Sequence, residues 1–419
     1  MHDFQYRDGE LYCEEVPIRQ IAQEVGTPFY LYSHHTLLHH YRVFDSAFSP
    51  IPHLICFALK ANSNLAVLRI FAKEGAGADV VSGGEIYRAL KAGIPPERIV
   101  YAGVGKTREE IEFALQSRIL MFNVESPSEL HLINGVAQEL GKKAQVALRI
   151  NPDVDPQTHP YIATGLKRNK FGIDISRALE EYQAAMELDH IQVIGVHQHI
   201  GSQITDVAPF VEGLTRIAEL IGKLRERGIP IRFLDVGGGL GITYYQENPP
   251  TPRVFAESLI AVIQGLDCTI VLEPGRVIVG NAGILVTKVL YLKKGGQKNF
   301  VIVDAGMNDL IRPSLYGSYH SILPVLQKEG GGGLVADVVG PICESGDFLA
   351  KDRTLPPLDQ GELLAVMSAG AYGFSMSSNY NSRPRGAEVL VRGREVHLLR
   401  ERESWEDLIR GERIPAFLE

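Results

Sequence analysis

The chain has 419 residues, of which 45% are hydrophobic and 22% charged, a soluble globular composition and a length beyond what one hydrophobic core usually organises. Two domains are therefore expected. A formal net charge of −8 excludes a general affinity for nucleic acid or anionic membrane, which needs clustered Lys and Arg, and leaves a small molecule as the expected partner.

Asp3, Arg7, Asp8, Glu10, Glu14 and Glu15 leave no apolar core for a signal peptide near the start. No uncharged apolar run reaches the ~20 residues that cross a bilayer, the candidates near Ile191 and Val277 being cut by His, Gly, Asn and Lys. The expected location is cytoplasmic. Residues 4–6 and 11–13 flank an Asp8-Gly9 turn, a β-hairpin pattern expected to join a later β-sheet. His34, His35, His39 and His40 are placed on the exposed face of an early helix. Cys13, Cys56, Cys268 and Cys343 lack disulfide or zinc spacing, and the first three are expected as apolar filling.

From residue 53 to 276, short β-prone runs alternate with segments of helical period. The strands are expected at 53–59, 78–81, 99–102, 120–124, 146–150, 193–199, 233–236 and 269–272. Between them, 126–140 opens on Ser-Pro and 207–227 closes before Gly228, as helices do. Eight βα units predict a (β/α)8 TIM barrel. The alternative, an open doubly wound sheet, would carry a nucleotide loop after the first strand, and none is present. Beyond residue 277 come short strands at 284–292, 300–304, 362–367 and 389–391 with turn-rich loops such as 330–333. They predict an antiparallel β-sandwich or β-barrel. The expected division is a barrel over residues 34–277 and a β domain of residues 1–33 and 278–419.

Active sites of such barrels lie at the C-terminal strand ends. There this sequence places Lys60, Asp79 and Ser82, Arg149 and Asn151, His197 and His199, Gly237 to Gly239, and Glu273 to Arg276. A lysine directly after an apolar strand is costly to bury unless paired or used, and a partly desolvated amine suits a Schiff base. Standing alone it would read as a strand-end lysine reaching water. His199 to Ser202 and Asp235 to Gly239 offer small residues and backbone donors of the kind a phosphate cradle needs, although a glycine run by itself more often marks a tight turn. His197 and His199 alternate as on one strand face, but the further ligands of a barrel metal hydrolase are missing from their expected positions, so no metal is expected.

Taken in order, FALKANSN, HQHIGSQ, DVGGGLGITY, EPGR, MNDLIRPSLYGSYH, GPICESGD and GAYGFSMSSNYNSRPR resemble the motifs of the fold-type III pyridoxal-phosphate decarboxylases over almost the whole chain. TGLKRNKFGI, MNDLIRPSLY and GPICESGD are more similar to the diaminopimelate branch than to the ornithine or arginine branches. The resemblance implies decarboxylation of meso-2,6-diaminopimelate to L-lysine and CO2, with pyridoxal 5'-phosphate as cofactor. It implies that Lys60 holds the cofactor, Asp79 modulates Lys60, His199 stacks on the ring and Glu273 faces the ring nitrogen. Ser202, Gly238, Gly239, Pro274, Gly275, Arg276 and Tyr372 would complete the cofactor site. Cys343 would return a proton to the substrate carbon. Arg276, Arg312 and Tyr316 would bind the substrate's distal carboxylate and Glu344 its distal ammonium, and Tyr372 would also contact substrate. It further implies a homodimer in which Cys343 and Glu344 complete the partner subunit's site. Alternatives are a decarboxylase of D-lysine, D-ornithine or carboxynorspermidine, or a relative that only binds a protein partner.

Overall fold

The computed structural model describes residues 2–155, 170–328 and 333–418, and the chain divides into two compact units, Leu38–Ile278 and the pair Met1–Leu37 with Val279–Glu419. In the first unit, parallel strands run His53–Ala58, Gly77–Val80, Ile99–Tyr101, Met121–Val124, Ala144–Asn151, Ile191–His197, Phe233–Asp235 and Thr269–Leu272. Each pairs with the next in sequence, and Ile270 to Leu272 pair with His53 to Ile55 to close the ring. All eight expected strands are present, with ends moved by one or two residues. A short ninth strand, Ile173–Asp174, adds beside Ile150 and Asn151.

The barrel closes because its strands are apolar on both faces. Cys56, Val100, Met121, Ala147, Ile194 and Val271 fill the interior and are almost wholly buried. Burying each large apolar side chain contributes about 1.5–3 kcal/mol. The helices begin and end where local chemistry directs. Ser126 accepts from the Glu129 N–H ahead of Pro127–Glu139, and Thr107 with Glu110 forms a capping box on Arg108–Ser117. Register then sets the site: Asp79 pairs with Ala58, and His197 pairs with both Asp235 and Arg149, so these side chains share one level near the strands' C-terminal ends.

The second unit departs from expectation first in its pairing: its large sheet is mixed, not antiparallel. Asn299–Val303 lies parallel to Leu334–Val339, and Phe29–Ser33 lies parallel to Ala387–Arg392. The physical reason is the connections. A crossover of some thirty residues separates the first pair, and the second joins distant parts of the chain, whereas a tight hairpin would enforce antiparallel pairing. Phe29–Ser33 was not among the expected strands. It is buried at every residue, lacks the alternation of a half-exposed strand, and sits between Gly283–Lys294 and Ala387–Arg392. The hairpin Phe4–Arg7 and Glu10–Cys13 forms a small sheet of its own with Val16–Pro17 rather than joining the larger one, and Glu10 makes an isolated bridge to Leu326, two residues past strand Ile322–Pro324. Leu11, Ile18, Ile21, Phe29, Leu31, Ile284, Val286, Val389 and Val391 are among the residues of this unit's core. The loop at 330–332 and most of TGLKRNKFGI lie outside the described residues.

No helix among the described residues is long and apolar enough to cross a membrane. Helix His34–Ala47 carries the four histidines, of which only His35 is exposed.

Candidate active site

Lys60 follows the first barrel strand, and its Nζ donates to Asp79 Oδ2 at 2.5 Å. The lysine side chain keeps 35% exposure while Asp79 has none. Burial, then the neighbouring Glu273, push the Asp79 carboxyl up to about 7, against the pull of Lys60. Asp79 Oδ1 is buried without a hydrogen-bond partner among the described residues.

Glu273, past the last strand, is also buried. Burial by itself would raise its carboxyl, but His197, whose Nε2 lies 3.7 Å from Oε1, together with Lys60 and His199, holds it well below the usual carboxylate range. Asn123 Nδ2 donates to Asp235 Oδ2 at 2.9 Å and to Glu273 Oε1 at 3.3 Å. An amine and a dissociated acid therefore sit on the same barrel mouth.

His197 and His199 do not share a strand face, because the strand ends at His197. His197 turns to Glu273, whereas His199 Nδ1 accepts from the Gly238 N–H at 3.1 Å. That bond leaves the other ring nitrogen to carry the proton of neutral His199, and burial favours this uncharged form. The glycines allow the approach: Gly237 has φ +71°, and a Cβ there would lie 2.8 Å from His199 Nδ1. Gly239 has φ +118°, and its Cβ would meet the Gly201 carbonyl oxygen at 2.4 Å. Beside them, the buried Arg276 donates to Ser202 Oγ at 2.9 Å and to Tyr244 Oη at 2.8 Å. Pro274 accepts the Ala58 N–H at 3.1 Å, and Gly275 comes close enough to Ala58 and Ala61 that a Cβ would lie about 3.0 Å away.

The expected barrel residues Lys60, Asp79, His199, Ser202, Gly238, Gly239, Glu273, Pro274, Gly275 and Arg276 thus gather at one end of one unit. Sequence reasoning missed Asn123, whose place inside an expected strand hid its inward direction. It also missed the buried pairs Glu125–Arg149 at 2.7 Å and Lys106–Glu129 at 2.7 Å, and Glu125 further accepts from the Gly172 N–H at 2.8 Å. A carboxylate just past the fourth strand was the available signal for Glu125.

The other unit holds the remaining expected residues. Arg312 is buried at the start of Arg312–Tyr316, donates Nε to His320 Nε2 at 3.4 Å and lies over the Tyr316 ring. His320 Nδ1 lies 2.8 Å from the Met367 carbonyl, which fixes the proton on Nδ1 and leaves Nε2 as the acceptor. Cys343 and Glu344 are exposed on a loop gathered around Asp347, which accepts the N–H of Ile342 at 2.6 Å and of Met307 at 2.7 Å. The Cys343 N–H donates to Asn381 Oδ1 at 2.8 Å, and Tyr380 Oη donates to Glu344 Oε1 at 2.5 Å. Tyr372 is half-buried with a left-handed backbone, φ 55°.

A strand-end amine on a buried acid, an ionised glutamate nearby, and a hydroxyl–guanidinium pair beside side-chain-free backbone define a site for an anionic aldehyde that also carries a basic ring. Comparison with known proteins agrees. Residues 34–280 match the family described as pyridoxal-dependent decarboxylase, pyridoxal binding domain. A diaminopimelate decarboxylase of Aquifex aeolicus is 53% identical over 97% of this chain and 96% of its own length, and one from Pseudomonas aeruginosa is 53% identical over 98% and 99%. A crystal structure of diaminopimelate decarboxylase from M. jannaschii in complex with L-lysine has 40% identity, a TM-score of 0.95 and full coverage of both chains. The chain belongs to the diaminopimelate decarboxylase family of pyridoxal-dependent enzymes.

The residues present fit pyridoxal phosphate. Lys60 would supply the amine for its aldehyde, Glu273 the anion for its ring nitrogen, and Ser202, Arg276 and the glycine backbone the donors for its phosphate.

Proposed function

We propose that this chain decarboxylates meso-diaminopimelate to L-lysine and CO2. The observation that carries the reading is the pairing of Lys60 with buried Asp79 on the mouth that also holds an ionised Glu273. Bound there, the cofactor supplies an electron sink for the charge left when CO2 departs. The protein's own residues do the rest. Glu273 stays ionised and so favours a protonated ring nitrogen, which deepens that sink. Asp79 holds the Lys60 amine in place and steadies its charge. Neutral His199, fixed through Gly238, offers a flat face, while Ser202, Gly238, Gly239, Gly275, Arg276 and Tyr372 hold the phosphate end and Pro274 borders the cofactor.

We further propose that Cys343 returns a proton to the substrate carbon, that Arg276, Arg312 and Tyr316 bind the distal carboxylate and Glu344 the distal ammonium, and that Tyr372 also contacts substrate. Support comes from their motifs and from the exposed, hydrogen-bonded setting of Cys343 and Glu344. Those exposed residues also support a homodimer in which they serve the partner's site, and we propose a cytoplasmic location for it. We assign residues 34–277 to the cofactor-binding barrel and residues 1–33 and 278–419 to the β domain. The test is pyridoxal-phosphate-dependent release of CO2 from meso-diaminopimelate with formation of L-lysine. Preferred turnover of D-lysine, D-ornithine or carboxynorspermidine would redirect the assignment.

A further inference from the structure

Behind Glu273 lies a group of side chains that the reaction described above does not use. Asp235 has no exposed surface, and His197 and Asn123 are buried to the same degree. Asn123 spends both hydrogens of one amide on two carboxylates, Asp235 at 2.9 Å and Glu273 at 3.3 Å. One ligand-type atom from each of His197, Asp235 and Glu273 falls within 4.8 Å of the others. Both ring nitrogens of His197 are buried without a hydrogen-bond partner among the described residues.

Two carboxylates this close, in surroundings of low dielectric, cannot both remain ionised without a large repulsion. A proton must reside in the cluster. His197 is a poor holder, because burial drives its ring to the neutral form. Glu273 has the nearer positive neighbour in Lys60. Asp235 is pushed up by burial and by Glu273 itself, and Asp235 can pass a hydrogen bond to Glu273 only in its acid form. Its Oδ1 accepts the Gly237 N–H at 3.0 Å, which fixes the carboxyl plane. The groups facing Asp235 are His197 from the sixth strand, Asn123 from the fourth, Glu273 from the end of the eighth and Cys56 from the first, with Asp79 and Lys60 beyond Glu273.

We infer that Asp235 is a positioning residue kept as a neutral carboxylic acid, bridged by Asn123 to Glu273, so that Glu273 alone bears the charge presented to the ring nitrogen. The inference deepens the proposed function and rests on its placement of Glu273. A single negative charge, oriented by a hydrogen bond from Asp235 and another from Asn123, is a better-defined partner for a ring cation than two carboxylates sharing a proton loosely.

The test is infrared spectroscopy of protein carrying carbon-13 in its aspartate carboxyl groups, in alkaline buffer where Asp79 is ionised. The C=O stretch of a protonated aspartic acid is expected in the wild type, kept in Asp79→Asn and lost in Asp235→Asn. Its absence from the wild type, or its survival in Asp235→Asn, would overturn the inference, and the wild-type spectrum decides without any variant. Pyridoxal phosphate binding by the wild type is measured in parallel. Failure to bind would sink the proposed function while leaving the band to report on Asp235.

Discussion

The barrel mouth and the Cys343 loop handle charge in opposite ways. At the mouth, Asp79, Glu273, Asp235, Arg149 and Lys106 are buried, and each is held by a neighbour from another strand or strand end. Burial there shifts acidities strongly, so ionisation is set by the fold. On the loop, Cys343 and Glu344 stand in solvent, and the charged Asp347 beneath them is buried. Geometry there is set by two backbone N–H groups captured by one carboxylate. Groups tuned by burial and groups merely aimed should fail differently.

The largest effect belongs to the buried side. Lys60→Ala should lower turnover by at least about a thousandfold and abolish the borohydride-sensitive visible absorbance of a lysine-bonded cofactor. Turnover near the wild-type value would break the comparison at its root. Cys343→Ala should cost on the order of a hundredfold in kcat while leaving that absorbance intact, since an aimed group acts after cofactor loading. Loss of the absorbance in this variant would place Cys343 among the tuned groups instead. Arg312→Ala should raise KM for diaminopimelate by about tenfold or more, with kcat less affected, as expected for a charge-assisted contact. An unchanged KM would reassign the distal carboxylate.

Smaller effects sharpen the contrast. Asp347→Ala should destabilise the β unit by about 1–3 kcal/mol in chemical denaturation, because two backbone donors lose their acceptor. Glu403 provides a pH test in the same unit. Burial would raise its pKa, but Arg385 through side chain and backbone, with Asn379, brings it from 4.5 down to about 2. Since the folded form holds this proton less tightly, its contribution to stability is present above pH 4.5 and is lost as pH falls through about 2. Glu403→Gln should flatten the acid limb of the stability curve, and an unaltered limb would show that this pair contributes nothing.

The barrel was legible because its strands are apolar on both faces and are spaced by helices with readable caps, so counting them located the mouth and its polar ends. Lys60, Asp79 and Glu273 stood at those ends in the sequence itself. Asn123 did not, since nothing local tells which way a strand residue points. Phe29–Ser33 was hidden because it stands outside the repeating βα pattern and its partners are far away in sequence. The mixed sheet was missed because parallel pairing depends on crossover geometry rather than on composition.

That central strand has a consequence for biosynthesis. Its first hydrogen-bonding neighbour, beginning at Gly283, emerges some 250 residues after Ser33, and the second, Ala387–Arg392, later still. At about 5–20 residues per second, a ribosome leaves this greasy pentapeptide unmatched for roughly ten to fifty seconds. Until then Phe29, Tyr30, Leu31 and Tyr32 are a sticky segment awaiting shelter, so a nascent chain halted before Gly283 should be a client for chaperones, even where its barrel has already begun to fold.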